Sequence, residues 1–144
     1  MSNLKDTFTK IGTGVHRGIF TASKGRVLGK ISGMPGVQLT TTGRRSGKTR
    51  KTMLASPIQT DGRVVVVASY NGAPRHPAWY LNLCSNPEVT LTIAGRDPQP
   101  MVARTATAEE RAELWPRIVQ VGDSYARYQA KTRREIPVVI LTPK

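Results

Sequence analysis

The sequence predicts an α+β domain in which antiparallel strands form a small barrel flanked by helices. Six short runs rich in Val, Ile and Thr are separated by turn residues, an order typical of hairpins rather than of alternating strands and helices. Helical patterns lie at the amino terminus, near the middle of the chain and after residue 106. The length of 144 residues is typical of one domain, so we expect a single core.

Residues 1–32 have the spacing of an amphipathic helix with a basic polar face. Apolar side chains recur every three or four residues, at Leu4, Phe8, Ile11, Val15, Ile19, Val27, Leu28 and Ile31. Five glycines in the segment weaken a helix. Two interpretations stay open: a terminal helix that covers the core, and an interfacial helix that contacts an anionic membrane. We treat residues 33–144 as the main domain.

The first half of the main domain reads as three strands in an antiparallel meander. The Gly33–Gly36 segment is expected to be a turn that ends the helical region. Strands are then predicted at Val37–Thr42, Met53–Gln59 and Arg63–Ser69, the last after a Thr-Asp-Gly turn.

The second half mixes helices with three further strands. A capping box at Thr107–Glu110 predicts the start of a helix that continues to Val121, with a kink at Pro116. The other predicted elements are helices at Ala78–Leu83 and Ser124–Thr132 and strands at Glu88–Ala94, Gln99–Ala106 and Ile136–Leu141.

The charge of the chain favours an anionic partner. The formal net charge is +13, and residues 1–51 contain eleven Lys and Arg against one acid, Asp6. The single cysteine, Cys84, cannot form an internal disulfide, and no Cys/His spacing suggests a metal site. No run is long and apolar enough to span a membrane, and no signal peptide is evident. We therefore expect a cytoplasmic protein without a metal.

The strongest local signal is the basic loop, residues Gly43–Lys51, with five cations and two glycines. Glycines let backbone N–H groups approach an anion, and Arg and Lys side chains form charge-assisted bonds to phosphate or carboxylate. The loop is thus a candidate anion site, and the alternative is an ordinary solvated hairpin loop.

Other activities fit the sequence poorly. A P-loop needs a glycine where this chain has Thr42, and it must open a helix rather than a strand. Aromatic residues are not interleaved with the basic loop, so specific nucleic-acid binding rests on charge alone. Neither His16 nor His76 belongs to a recognisable nucleophilic triad. Reasoning from the residues stops at an anion-binding loop on a small barrel.

Several ordered motifs resemble the deazaflavin-dependent nitroreductase and quinone reductase family of actinobacteria. The resemblance covers nearly everything after residue 36. Its motifs are LTTTGRRSGKTR at 39–50, ASYNG at 68–72, HPAWYLNL at 76–83, NP at 86–87, AEERAELWP at 108–116, SYARYQ at 124–129 and IPVV at 136–139. Together they are far more specific than the loop alone.

This resemblance implies a split β-barrel of the flavin-reductase and pyridoxamine-phosphate-oxidase type that binds coenzyme F420. That coenzyme is a deazaflavin with a phosphodiester and a polyglutamate tail. The expected acceptor is a quinone or a nitro compound. The residues implied in binding the coenzyme are Thr42, Gly43, Arg44, Arg45, Ser46, Gly47, Lys48, Arg50, Ser69, Tyr70, Asn71, Pro77, Trp79, Tyr80 and Asn82.

The resemblance also implies that Ser69, Tyr125 and Tyr128 act at the acceptor. Tyr125 and Tyr128 lie one helical turn apart, so packing is an equally good explanation for them. Gly122 stands where nitroimidazole-reducing members have a tyrosine, which predicts a larger or less ordered acceptor pocket and puts prodrug reduction in doubt. A non-catalytic F420 carrier is the alternative function, and the oligomeric state stays open.

Overall fold

A computed structural model describes residues 30–31 and 33–144. In this part of the chain, eight antiparallel strands form one curled sheet in the order β1-β2-β6-β7-β8-β5-β4, with β3 paired to β2. The strands are β1 (Lys30–Ile31), β2 (Met34–Thr42), β3 (Thr49–Ala55), β4 (Ile58–Thr60), β5 (Arg63–Val67), β6 (Glu88–Ile93), β7 (Gln99–Thr105) and β8 (Val138–Pro143). The antiparallel α+β prediction is confirmed.

Three helices and one short 3₁₀ turn accompany the sheet. They are the turn Tyr70–Gly72 and helices α1 (Ala78–Ser85), α2 (Ala108–Val121) and α3 (Ser124–Lys131). The predicted capping box is present: Thr107 Oγ1 accepts from Glu110 N at 3.2 Å, and Glu110 Oε1 accepts from Thr107 N at 2.9 Å. Helix α2 runs through Pro116.

The sheet buries apolar side chains on both faces, and the valine run of β5 shows why. Val64 and Val66 belong to one core cluster, with Leu39, Leu91 and Leu141. Val65 and Val67 point to the opposite face and belong to a second cluster with residues of α2, α3 and β8. Because strand side chains alternate, a continuous run of valines is what a strand buried on both sides requires.

Two sequence predictions are wrong in detail. The predicted strand Met53–Gln59 is divided at Ser56 and Pro57, so β3 pairs with β2 whereas β4 pairs with β5. Proline has no N–H to donate to a strand partner, and the buried Ser56 hydroxyl instead donates to Val65 O at 2.7 Å. The three-strand meander is therefore broken, and the second partner of β5 is β8.

The second error concerns the end of the amino-terminal segment and the turn predicted after it at Gly33–Gly36, because β2 already begins at Met34 and not at Val37. Lys30–Ile31 was expected to be helical but pairs with Met34–Pro35 as strand β1. Gly33 has φ +78°, a conformation that glycine adopts freely, and this allows the tight connection to β2. The predicted helix over the rest of residues 1–32 lies outside the described residues.

Candidate active site

The basic loop is a hairpin that joins β2 to β3 and satisfies much of its own backbone. Gly43 N donates to Lys48 O and Gly47 N donates to Gly43 O, both at 2.8 Å. Lys48 N donates to Ser46 Oγ at 3.1 Å. These hydrogen bonds hold the loop in shape, and its cations supply side chains that can bond an anion.

Asn82 of helix α1 fixes the loop against the barrel. Its side chain is buried, and its Oδ1 accepts from Arg44 N at 3.1 Å and from Arg44 Nη1 at 3.4 Å. Its Nδ2 donates to Thr41 Oγ1 at 3.3 Å. One side chain thus connects the helix, the end of β2 and the first arginine of the loop.

A groove with a volume of about 620 Å³ lies beside the loop. Its lining joins three parts of the chain: the loop with strand β3, the segment after β5, and the start of α1. The lining residues are Thr41, Gly43, Arg44, Arg45, Ser46, Arg50, Lys51, Thr52, Met53, Leu54, Val67, Ser69, Tyr70, Asn71, Pro77, Ala78, Trp79 and Asn82.

The groove combines positive charge with apolar surface. Four of these lining residues are Arg or Lys, and none is Asp or Glu. Ion pairs in residues 33–144 join other cations, such as Arg104 to Glu110 and Lys144 to Glu88. Trp79 and Leu54 add apolar walls that also pack on the core. The groove therefore suits a ligand with a flat apolar part and an anionic part.

The turn Tyr70–Gly72 has an unusual backbone. Tyr70, Asn71 and Gly72 have φ of +45°, +55° and +77°. Positive φ is costly for residues with a Cβ, and such backbone is often found at functional sites. An added Cβ on Gly72 would lie 2.8 Å from Tyr128 O, so the turn packs closely on helix α3.

Arg134 holds the segment that carries this turn. Its Nη1 donates to Ala68 O at 3.1 Å, its Nη2 to Ser69 O at 2.8 Å, and its Nε to Ala73 O at 2.8 Å. His76 Nδ1 lies 3.0 Å from Nη1. Burial and then the Arg134 charge lower the pKa of His76 below 6.5, so the neutral ring accepts a hydrogen bond at Nδ1.

Trp79 and Tyr80 both pack on the core, as their spacing suggested, but only Trp79 also lines the groove. The Tyr80 hydroxyl lies 2.8 Å from Thr105 Oγ1, and its ring lies 4.9 Å from the ring of His76. Tyr80 thus packs on the core next to Trp79 and does not line the groove.

Tyr125 and Tyr128 are not among the residues that line the groove. Tyr125 is buried, its hydroxyl contacts Met34 Sδ at 3.9 Å, and burial raises its pKa to about 12. The two rings meet edge to face at 6.4 Å. An added Cβ at Gly122 would lie 3.0 Å from the Tyr125 ring and 3.3 Å from Met34, so this space is filled. The larger pocket expected at Gly122 is not seen there.

The structure brings most of the predicted coenzyme-binding residues together. Eleven of them line the groove: Gly43, Arg44, Arg45, Ser46, Arg50, Ser69, Tyr70, Asn71, Pro77, Trp79 and Asn82. Thr42, Gly47, Lys48 and Tyr80 are not among the lining residues. The role of all fifteen residues in binding stays a prediction, as does the role of Ser69 and of the two tyrosines on α3 at the acceptor.

Seven further lining residues were not among the predicted coenzyme-binding residues, although Lys51 belongs to the basic loop. They are Lys51, Thr52, Met53 and Leu54 of β3, Thr41 of β2, Val67 of β5 and Ala78 of α1. The signal for β3 was present, because Thr49–Ala55 directly follows a two-glycine loop, but the strand was predicted to begin four residues later. An edge strand beside an anion-binding loop is a natural wall for the same ligand.

Fold and groove together define a class: a split β-barrel with a basic, partly apolar groove. A Listeria innocua protein assigned as a pyridoxamine 5′-phosphate oxidase shares the fold, with a TM-score of 0.54 over 76% of this chain and 83% of that one at 10% identity. The split β-barrel prediction is confirmed.

The particular family follows from the sequence. Residues 14–143 match the model of the F420H(2)-dependent quinone reductase family, and the chain belongs to that family. It is 35% identical over 135 residues to an F420H(2)-dependent quinone reductase of Mycobacterium tuberculosis, covering 89% of this chain and 87% of that protein. The structure of an F420-H2 dependent reductase matches with a TM-score of 0.66 and 41% identity over 74% of this chain and 93% of that one.

Family membership makes the chain an oxidoreductase whose coenzyme is F420. The family resemblance, the enzyme class and the cofactor that the sequence predicted are thereby confirmed. Among the described residues, no helix is both long and apolar enough to cross a bilayer.

Proposed function

We propose that the groove beside the basic loop binds F420 and that a quinone is reduced at its Ser69 side. The observation that carries this proposal is the lining itself, in which four cations without an acid share one cavity with Trp79 and Leu54. Such a lining matches a coenzyme with an anionic tail and a flat ring system.

The residues fit the coenzyme by charge. Arg44, Arg45, Arg50 and Lys51 would hold its phosphodiester and glutamate carboxylates, since Arg forks and Lys ammonium groups bond well to both. The ring system would rest near Trp79 and Pro77, where apolar surface lines the groove. Asn82 would act indirectly, by holding Arg44 in place.

Bound F420 supplies a hydride from its reduced deazaflavin ring, and the protein supplies alignment and electrostatics. Ser69 lines the groove, and its hydroxyl would donate to an acceptor oxygen that gains negative charge. Tyr70 is 45% exposed at the open side of the groove, where it can cover an apolar acceptor. Positive charge along the lining favours the anionic product of the transfer.

Nitro compounds are the second acceptor class in this proposal. Gly122 stands where the nitroimidazole-reducing members that the sequence resembles have a tyrosine, and a Cβ added there would lie 3.0 Å from the Tyr125 ring and 3.3 Å from Met34. Because the side chain that accompanies nitroimidazole reduction is absent, we expect quinones to be reduced faster than nitroimidazoles, and parallel assays with menadione and a nitroimidazole test this order.

Contact with an anionic membrane through residues 1–32 belongs to the proposal as well. Six Lys and Arg in this segment provide the charge, and a lipid-soluble quinone gives the contact a purpose. The test is co-sedimentation with vesicles that contain anionic lipid, comparing the full chain with one that lacks residues 1–29. Equal binding of the two would contradict this part of the proposal. A cytoplasmic location is expected alongside it.

The main experiment is an anaerobic titration with reduced F420, followed by menadione, with the oxidised coenzyme monitored by absorbance. Saturable binding with acceptor-dependent oxidation is expected. Binding without oxidation of the coenzyme by any quinone tested would favour the carrier. Absence of binding would refute the coenzyme site.

Arg50→Ala tests the assignment of the groove. Loss of a charge-assisted bond to an anion should weaken F420 binding about tenfold or more, measured by fluorescence titration. Lys48→Ala should weaken it less, because Lys48 does not line the groove. Arg63→Ala, which removes an exposed cation elsewhere on the sheet, is the matched control. Equal effects of the Arg50 and Arg63 variants would contradict the assignment.

A further inference from the structure

Two successive carbonyl groups next to the groove point at one guanidinium. Ala68 O and Ser69 O accept from Arg134 Nη1 and Nη2. In a trans peptide unit the N–H points opposite to the C=O. The N–H groups of Ser69 and Tyr70 therefore point away from Arg134.

We expect the groove to lie on the side opposite Arg134. Ser69, Tyr70 and Asn71 line the groove, whereas Arg134 does not. Within residues 33–144, the neighbouring N–H groups have partners: Ala68 N donates to Pro137 O and Gly72 N donates to Ser69 O. The N–H groups of Ser69, Tyr70 and Asn71 form no hydrogen bond with another described residue.

The backbone conformation makes these donors converge. Ser69 is right-handed, with φ −74° and ψ −38°, and Tyr70 follows with φ +45°. Alternation of right- and left-handed residues forms a nest, in which successive N–H groups surround one anionic atom. The positive φ of Tyr70 costs conformational free energy, and in return it directs these N–H donors at one place.

We propose that the N–H groups of Ser69, Tyr70 and Asn71 form an oxyanion site for a carbonyl oxygen that gains negative charge in hydride transfer, and that Arg134 is its positioning residue. The inference rests on the proposed function. In this step the hydride would leave the reduced deazaflavin ring with the electron pair of its C–H bond and form an O–H bond with one quinone oxygen, which oxidises the ring and reduces the quinone by two electrons. The other quinone oxygen would become the anion and take a proton from solvent to give the hydroquinone, while the oxidised ring would release its extra ring proton to solvent. The carbonyl at the nest is that of the quinone, which gains charge in the transfer. A carbonyl of the coenzyme ring at the nest would be a binding contact instead, since the ring loses electron density as the hydride leaves, and the tests below distinguish the two.

Arg134 is well suited to this role. Its positive charge polarises the two peptide groups it binds, which increases the positive charge on their N–H hydrogens. Neutral His76 and Ala73 O complete its contacts, and Gln129 Nε2 donates to Arg134 O at 2.8 Å. The guanidinium is thus fixed before any ligand arrives.

The direct test replaces residue 70 by the α-hydroxy analogue of tyrosine, which exchanges one N–H for an ester oxygen and keeps every side chain. If the quinone oxygen occupies the nest, kcat with menadione should fall about 100-fold, as for loss of one oxyanion donor, with F420 affinity within about threefold of wild type. If the coenzyme carbonyl occupies it, F420 affinity should fall too. Unchanged kcat and unchanged affinity would overturn the proposal.

Amide chemical shifts give a readout independent of turnover. In 15N-labelled protein, the amide protons of residues 69–71 should move downfield when a carbonyl oxygen binds at the nest. A shift with F420 alone would identify a carbonyl of the coenzyme. A shift only after addition of 2-hydroxy-1,4-naphthoquinone, which is an oxyanion at neutral pH, would identify the oxygen of the acceptor. Saturable F420 binding with silent amides in both steps would refute the oxyanion site and leave the proposed function intact, whereas no F420 binding would refute the proposed function.

Arg134→Lys tests the positioning role, because an ammonium cannot bond two successive carbonyls and Ala73 O as the guanidinium does. The variant should lose the amide response and about as much kcat as the ester protein. Arg133→Ala, which changes an exposed neighbour, is the control. A folded Arg134→Lys protein with the full amide response would overturn the role of Arg134. If it fails to fold, the ester protein decides the proposal.

Discussion

Gly72 shows how a single residue fixes the geometry of the groove. Its φ is +77°, and an added Cβ would lie 2.8 Å from Tyr128 O and 3.1 Å from Tyr128 Cα. Both atoms belong to the backbone of α3 and cannot rotate away. The turn that lines the groove is therefore held at contact distance from the helix.

Gly72→Ala should destabilise the protein by about 2–4 kcal/mol, the sum of a left-handed alanine and a backbone overlap. Gly62→Ala is the matched control, since Gly62 has φ +76° and no atom within 4 Å of an added Cβ, so about 1–2 kcal/mol is expected. Urea unfolding measures both. Equal losses for the two variants would show that the close packing on Tyr128 contributes nothing.

At this scale, the sequence predicted the residues that have a local signal and missed those that do not. Arg44, Arg45 and Arg50 belong to a basic run that contains two glycines, so the composition of this run predicts them as residues of an anion site. The role of Arg134 had no such signal, because its partners lie 58 to 66 residues away and are mostly backbone carbonyls. Contacts between a side chain and a distant backbone leave no pattern in the sequence.

Among the elements, helix α2 is tied to the sheet through its amino terminus. Glu110 completes the capping box, and its carboxylate also accepts hydrogen bonds from Arg104 Nη1 and Nη2 of β7 at 2.6 and 2.7 Å. The Arg104 hydrogen bonds, followed by the bond from Thr107 N, lower the pKa of Glu110 to about 2. A carboxyl with a lowered pKa stabilises the folded state above its unfolded pKa near 4.5, and this contribution is lost as the pH falls towards 2.

Glu110→Gln should therefore flatten the acid side of the stability profile between about pH 4.5 and 2. At pH 7 the loss should stay below about 1 kcal/mol, because the ion pair is largely exposed and Gln can still cap the helix. Thermal unfolding at several pH values measures it. Glu113→Gln on the same helix is the control, and an equal change in its profile would contradict the assignment.

The elements also show where sequence patterns are weakest. The capping box was predicted to the residue, since its two hydrogen bonds connect neighbours in sequence. The division of Met53–Gln59 at Ser56 and Pro57 was missed, although Pro57 was visible, because the partner of each half depends on how the sheet curls. The start of edge strand β3 was placed four residues too late, at Met53 instead of Thr49.

Asn82 couples helix α1 to the loop, and Asn82→Ala tests that coupling. Removal of a buried side chain with three hydrogen bonds should destabilise the protein by about 2–3 kcal/mol and weaken F420 binding, since Arg44 loses its anchor. Asn86→Ala, at the other end of the helix, removes one exposed bond and is the control. Denaturant unfolding and fluorescence titration report the two effects. Unchanged F420 affinity in a folded Asn82 variant would contradict the coupling.

For the whole molecule, the position of the charges says more about the kind of ligand than the net charge does. The chain carries +13, yet the groove gathers four cations without an acid in its lining, next to an aromatic wall. A polyanion such as DNA would bind any basic surface, whereas a small ligand with a short anionic tail needs cations concentrated beside an apolar pocket. The arrangement favours the second kind of ligand.

Salt should therefore weaken F420 binding through the groove in particular. Raising the ionic strength from about 0.1 to about 1 M shortens the screening length from about 10 to about 3 Å, so the Kd of the wild type should rise. In Arg50→Ala the slope of log Kd against log salt should be smaller, because one ion contact is gone, while Arg63→Ala should keep the wild-type slope. Fluorescence titrations at four salt concentrations measure this. Equal slopes in all three proteins would mean that the tail is held by the general positive field of the protein and not by the cations that line the groove.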